Sequence, residues 1–237
     1  MNTSGDFYRE KLYPFQDGIL LLVRRSETPF YLTGGTALSR RWFGHRFSDD
    51  LDLFVDSDPR YADHVQRLFA LLKEAERGGR LLIDQERLRR SQWHTQLWVS
   101  REDRGERVDL KIDLVNDTAP RVGAVESDPV LGRSDTWQNI LANKVAAVFR
   151  YEPKDVADIW IIARNRGFAW GEVISDALRK EGGTDPVALH GILRTVPREE
   201  LAHVAWASPV DLSGVSADLK LIADDILYRR ANSLFPR

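Results

Sequence analysis

The chain reads as an α/β protein in which a sheet-containing part, residues 1–130, precedes a mostly helical part, residues 131–237. Two observations predict the first part: the run at 50–55 alternates in character as only a strand does, and three more strand-like runs follow at about 80–86, 92–100 and 106–115. A third predicts the second part. From Asp135 onward the apolar residues recur at helical spacing, beginning with Ile140, Leu141, Val145, Val148 and Phe149.

Composition sets the outer limits. A chain of 237 residues with 43% hydrophobic and 30% charged residues can bury a substantial core as one large or two small domains. The absence of cysteine excludes a disulfide framework and a thiolate metal site, and fits a reducing cytoplasm. No apolar run approaches a membrane span, and the opening MNTSGDFYREKLYP lacks the apolar centre of a signal peptide. A formal charge of −2 argues against indiscriminate nucleic-acid binding over the whole surface, while leaving local basic patches such as Arg87-Arg89-Arg90 open.

Taken in order, residues 6–25 predict a helix with Phe7, Leu12, Phe15, Ile19, Leu22 and Val23 on its buried side and a kink or break at Pro14. The apolar lead-in Phe30-Tyr31-Leu32 runs into Gly34-Gly35, where missing side chains let the backbone approach a ligand closely. A two-turn helix follows over Thr36 to Phe43, so its first free amides point back at the glycines, a setting that favours a phosphate. On the strand at 50–55, Leu51, Leu53 and Val55 take one face and Asp50, Asp52 and Phe54 the other. Two carboxylates one pleat apart repel each other unless a cation sits between them, and Mg²⁺ suits hard oxygen ligands shared with substrate phosphates.

A glycine turn, a short helix and a strand bearing Asp-x-Asp form the core motif of the nucleotidyltransferase superfamily. The fuller pattern is Gly-Gly-Thr-Ala-Leu-Ser, His45-Arg46, Ser48, then Asp50-Leu51-Asp52-Leu53-Phe54. It resembles the AbiEii/AbiGii toxin family of that superfamily, whose members include toxins of bacterial toxin–antitoxin systems.

After the motif, Asp58-Pro59 predicts a helix start, with the helix over 60–77 closed by Gly78-Gly79. Glu102-Asp103-Arg104-Gly105 reads as a hairpin turn. On the last strand Val108, Leu110, Ile112 and Leu114 face the core, while Asp109, Lys111 and Asp113 share the other side. Either aspartate can complete a triad with Asp50 and Asp52, or the three residues form a plain charge ladder; the resemblance favours Asp113. In the helical part, with Ser134 or Asp135 as first cap, helices are expected at about 136–150, 154–166, 170–181, 185–195 and 209–231. Lys144 lies at the edge of an apolar face, from which it can snorkel to water or reach a triphosphate. Asp155 falls in a first helical turn, where it offsets the helix dipole, and Asp158 lies deeper beside apolar neighbours. His45 can pack or contact phosphate, and the five histidines show no metal-ligand spacing.

The resemblance implies a nucleotidyltransferase-type mixed sheet domain followed by a helical domain that closes the active-site cleft. It implies Mg²⁺-dependent transfer of a nucleoside monophosphate from an NTP, with Asp50, Asp52 and Asp113 as metal and catalytic residues and Lys144 and Asp158 as further catalytic residues. The nucleotide-binding set is Gly34, Gly35, Thr36, Ser39, Arg46, Ser48, Lys144 and Asp155. Phosphorylation of Ser48, two residues before Asp50, is expected to inhibit by repulsion. The implied acceptor is tRNA or another RNA, the implied partner an antitoxin protein, and the implied location the cytoplasm. The same core also serves transfer to a small molecule such as an aminoglycoside, or a nucleotide-binding regulatory module without turnover.

Overall fold

The computed structural model describes residues 4–235, so the outermost ends of the two expected domains, 1–3 and 236–237, lie outside it. The chain divides into two compact units. The first takes the chain up to Arg41, then Phe47–Thr118 and Val125–Asp135; the second takes Trp42–Arg46, Ala119–Ala124 and the chain from Thr136 onward.

The first unit is built on a seven-stranded mixed sheet. Its strands are β1 (Tyr31–Thr33), β2 (Leu51–Asp56), β3 (Leu82–Arg90), β4 (His94–Asp103), β5 (Glu106–Asp117), β6 (Glu126–Asp128) and β7 (Gly132–Ser134). They lie in the order β3-β4-β5-β2-β1-β7-β6. β2 runs parallel to β5 and antiparallel to β1, with Asp52 paired to Asp113 on one side and to Thr33 on the other. Leu51, Leu53 and Val55 are buried as their alternation requires, and Ile112 and Leu114 join them in the core with Leu97 of β4. The helix Tyr61–Arg77 contributes Val65, Leu68 and Leu72 to the unit's core.

The opening helix is not broken at Pro14. A π-helical turn at Tyr8–Leu12 precedes it, in which the Tyr13 amide bonds to the Tyr8 carbonyl, and the α-helix Tyr13–Arg25 then starts with proline in its first turn, where no N–H is needed. The helix after the glycines begins at Gly34, and its second part, Leu38–Phe43, is also π-helical. β3 runs four residues past its expected end, with an irregularity in its pairing to β4 between Asp84 and Arg89.

In the second unit the helices Trp137–Ala147, Pro153–Asn165, Trp170–Lys180, Pro186–Thr195, Arg198–Ala202 and Leu212–Leu227 bury Ile140, Ile159, Ile162, Trp170, Leu193 and Ile222 among others. The cap of the first is Thr136, whose side chain accepts the Asn139 amide, in place of Ser134 or Asp135. Those two are otherwise engaged: Ser134 pairs with Leu32 in the sheet, and the carboxylate of Asp135 accepts the Thr33 hydroxyl at 2.6 Å. Among the described residues no helix is long and apolar enough to cross a membrane.

Candidate active site

The residues expected to carry the chemistry fall into two groups, one in each unit. In the first unit the sheet register lines up Thr33, Asp52, Asp113 and Gln96 in one row across β1, β2, β5 and β4. Gly34 sits directly against this row. Its φ is +66°, and a Cβ built there would lie 2.2 Å from Oδ2 of Asp52, so both the backbone conformation and the space require glycine. Gly35 and Ser39 are buried in the helix that follows.

Asp50 precedes β2 and is positioned through its backbone. The Thr36 hydroxyl donates to the Asp50 carbonyl, and the buried Gln16 amide donates to the carbonyls of Ser48 and Asp49 at 3.1 and 3.2 Å. Ser48 itself is buried. The Asp50 side chain reaches β5, where its Oδ2 lies 2.9 Å from the Lys111 ammonium. That ammonium also lies 3.2 Å from Oδ2 of Asp113, while Oδ1 of Asp113 accepts from Gln96 at 3.2 Å and lies 2.7 Å from Nε2 of His94. Burial works against the charge of Asp113, but the His94 hydrogen bond and the Lys111 charge outweigh it and hold the carboxyl below its usual range. Burial likewise opposes the Lys111 ammonium, and Asp50 and Asp113 reverse the balance and raise its pKa. Asp109, the alternative third carboxylate, lies four residues away on β5 and is paired with Arg107 at 2.8 Å and Arg87 at 3.7 Å.

Lys111, His94 and Gln96 were not singled out from sequence as site residues. A signal existed for each. Lys111 shares a strand face with Asp113, and the turn at Arg104 and Gly105, with φ of 54° and 81°, pairs Asp103 with Glu106 and so Gln96 with Asp113. His94 reaches Asp113 as a diagonal cross-strand neighbour on the same face.

The second group is a buried ionic cluster in the helical unit. Asp158 is fully buried and meets three basic groups: Arg46 grips it with two bonds of 2.7 and 2.8 Å, Lys144 lies at 2.9 Å, and Nε2 of His45 lies at 2.8 Å. Lys144 also bonds to Asp155 at 2.5 Å, and Arg150 reaches the other Asp155 oxygen at 3.1 Å. Burial disfavours every charge here, yet Lys144 and Arg46 hold Asp158 well below the ordinary carboxylate range, and Asp158 and Asp155 raise Lys144. His45 goes the other way. Desolvation, assisted by Arg46 and Lys144, lowers its pKa, so a neutral ring donates its Nε2 proton to Asp158. Its Nδ1 has no hydrogen-bond partner among the described residues. The cluster ties Trp42–Arg46 to the helical unit, together with a bridge between Arg46 and Trp206 and a 3.0 Å bond from the Ala207 amide to the His45 carbonyl. Arg46, expected at a triphosphate, thus has its guanidinium forked onto Asp158.

A glycine turn pressed against a sheet row that carries Asp52 and Asp113, with Asp50 beside it, defines the class, and the chain is a nucleotidyltransferase. Residues 20–228 match the family model described as nucleotidyl transferase AbiEii toxin, type IV toxin–antitoxin system; the chain belongs to the AbiEii family. Two solved structures share the fold. One is a nucleotidyltransferase candidate from H. pylori, at TM-score 0.61 and 18% identity, covering 92% of this chain and 96% of the other. JHP933 from Helicobacter pylori matches at TM-score 0.58 and 18% identity, covering 92% and 93%. No curated protein of significant similarity was found.

Proposed function

We propose that this protein is the toxin of a toxin–antitoxin pair and uses Mg²⁺ to transfer a nucleoside monophosphate from an NTP to an RNA hydroxyl, with tRNA the first acceptor to test. The observation that carries the reading is the contact between Gly34 and Asp52 in a row with Asp113, because it holds the turn, whose free amides favour a phosphate, directly beside the carboxylates. The donor set fits a hard cation. Among the described residues no three acidic, histidine or cysteine side chains form a group able to hold an ion alone. Asp50 and Asp52 would therefore hold Mg²⁺ with waters and phosphate oxygens completing its shell, as is usual for this ion. The chemistry Mg²⁺ supplies when bound is to offset charge on the transferring phosphate.

In the reaction the acceptor oxygen bonds to the α-phosphorus, the bond from that phosphorus to the bridging β-oxygen breaks, and pyrophosphate leaves while the hydroxyl proton goes to water. Gly34, Gly35, Thr36 and Ser39 form the turn and helix start that receive the phosphates, and Asp113 keeps the Asp50 side of the site ordered through Lys111. Lys144, Asp155 and Asp158 belong to the helical unit's ionic cluster, in which Asp158 orients Lys144 and Arg46. An antitoxin partner follows from the family's type IV toxin–antitoxin role, and the cytoplasm is where such a toxin meets RNA. Incubation of the protein with each labelled NTP and total RNA should label RNA when Mg²⁺ is present and fail with the Asp52→Asn variant. Labelling of small molecules alone, or none with any NTP, would sink the RNA reading.

A further inference from the structure

We propose that Lys111 takes the place of a second divalent ion, so that this site works with one metal ion and one fixed ammonium. The inference rests on the nucleotidyltransferase reading above and specifies how many cations its site takes. Three observations support it. Lys111 Nζ lies between the carboxylates of Asp50 and Asp113, at 2.9 and 3.2 Å, where an ion shared by the two would sit. The other Asp113 oxygen is already used by His94 and Gln96, so both of its oxygens have protein partners and ligation of an ion would break one of these contacts. The lysine is also held in place. Its side chain is only 24% exposed, and the strand register keeps it on the same face as Asp113, two residues away.

Charge counting agrees with the geometry. Asp50 and Asp113 bring two negative charges to the position between them, and Lys111 already supplies a positive charge there. A second divalent ion shared by Asp50 and Asp113 would meet that ammonium at contact distance, where like charges repel.

The test counts ions in the intact protein without turnover. Mn²⁺ is titrated into the protein saturated with each of the four α,β-methylene ribonucleoside triphosphates, and protein-bound Mn²⁺ is read as the loss of the free-ion signal in electron paramagnetic resonance beyond that caused by the same nucleotide without protein. The wild type should bind one Mn²⁺ per chain. Lys111→Met, checked for folding by thermal melting, should bind a second with affinity at least tenfold tighter than any second site in the wild type, while Lys111→Arg should keep one. Two ions in the wild type, or a Lys111→Met variant with unchanged count and affinity, would overturn the proposal while leaving the nucleotidyltransferase reading standing. If Lys111→Met fails to fold, the wild-type count decides alone. No Mn²⁺ bound with any of the four nucleotides would overturn both.

Discussion

At the residue scale, the site turns on a few side chains whose presence or absence controls space and charge next to Asp52. Gly34 is the sharpest case. Alanine there meets a left-handed φ and a carboxylate oxygen 2.2 Å from its Cβ, so Gly34→Ala should cost on the order of 1–3 kcal/mol in chemical denaturation and abolish stabilisation by Mg-NTP. Wild-type stability and nucleotide response in that variant would show that the turn is not pressed on the carboxylates. Gly34, Asp50 and Asp52 were legible in the sequence because glycine pairs and period-two alternation are local signals. The partners of Asp113 were less so, since a four-residue turn reading at 102–105 leaves the hairpin register open by a residue, and a slip of one moves every side chain to the other face. Asp135 escaped for a related reason. Its position before a helix suggested a cap, whereas its bond to Thr33 depends on a strand pairing a hundred residues apart.

At the element scale, strands and helices with long periodic patterns were readable and the shortest ones were not. β1, β6 and β7 have three residues each, too few to show a period, and all three residues of β1 are buried because it lies inside the sheet. The π-helical turn before Pro14 shows a second limit: the sequence marks the missing N–H of proline but not the wider turn before it, in which the Tyr13 amide reaches the Tyr8 carbonyl. The helices Trp137–Ala147 and Pro153–Asn165 are joined by the Lys144–Asp155–Asp158 cluster, which makes their stability dependent on charge. Lys144→Met leaves two buried carboxylates short of a cation and should cost about 3–5 kcal/mol by denaturant unfolding, with partial recovery on adding Asp155→Asn. An unchanged midpoint would mean that the cluster contributes nothing. Acid dependence has a defined sign. The folded state lowers the pKa of His45, so the unfolded chain takes up a proton first and stability falls as pH drops below about 6.5. The contribution of Asp158 persists there, because its lowered pKa removes stability only below the ordinary carboxylate range. Melts between pH 7.5 and 5 should therefore show a downward slope that His45→Gln flattens; an equal slope in the variant would assign it elsewhere.

At the scale of the whole molecule, the residues that carry the resemblance lie close together between Gly34 and Phe54, inside the span 20–228 that the family model matches. What the sequence did not show is that Trp42–Arg46, in the middle of that motif, packs with the helical unit through Asp158, a contact between positions over a hundred residues apart. The central claim remains that β2 carries a catalytic metal site, and Asp52→Asn tests it most directly, since the amide keeps the shape and removes the charge. The measurement pairs thermal melts with and without Mg-NTP with the rate of nucleotide transfer to RNA. The variant should melt at or above the wild-type temperature as carboxylate repulsion is relieved, lose the stabilisation by Mg-NTP, and transfer nucleotide about a hundredfold more slowly or worse. A variant that folds, still responds to Mg-NTP and transfers at the wild-type rate would contradict the assignment of Asp52 and, with it, the metal-dependent mechanism.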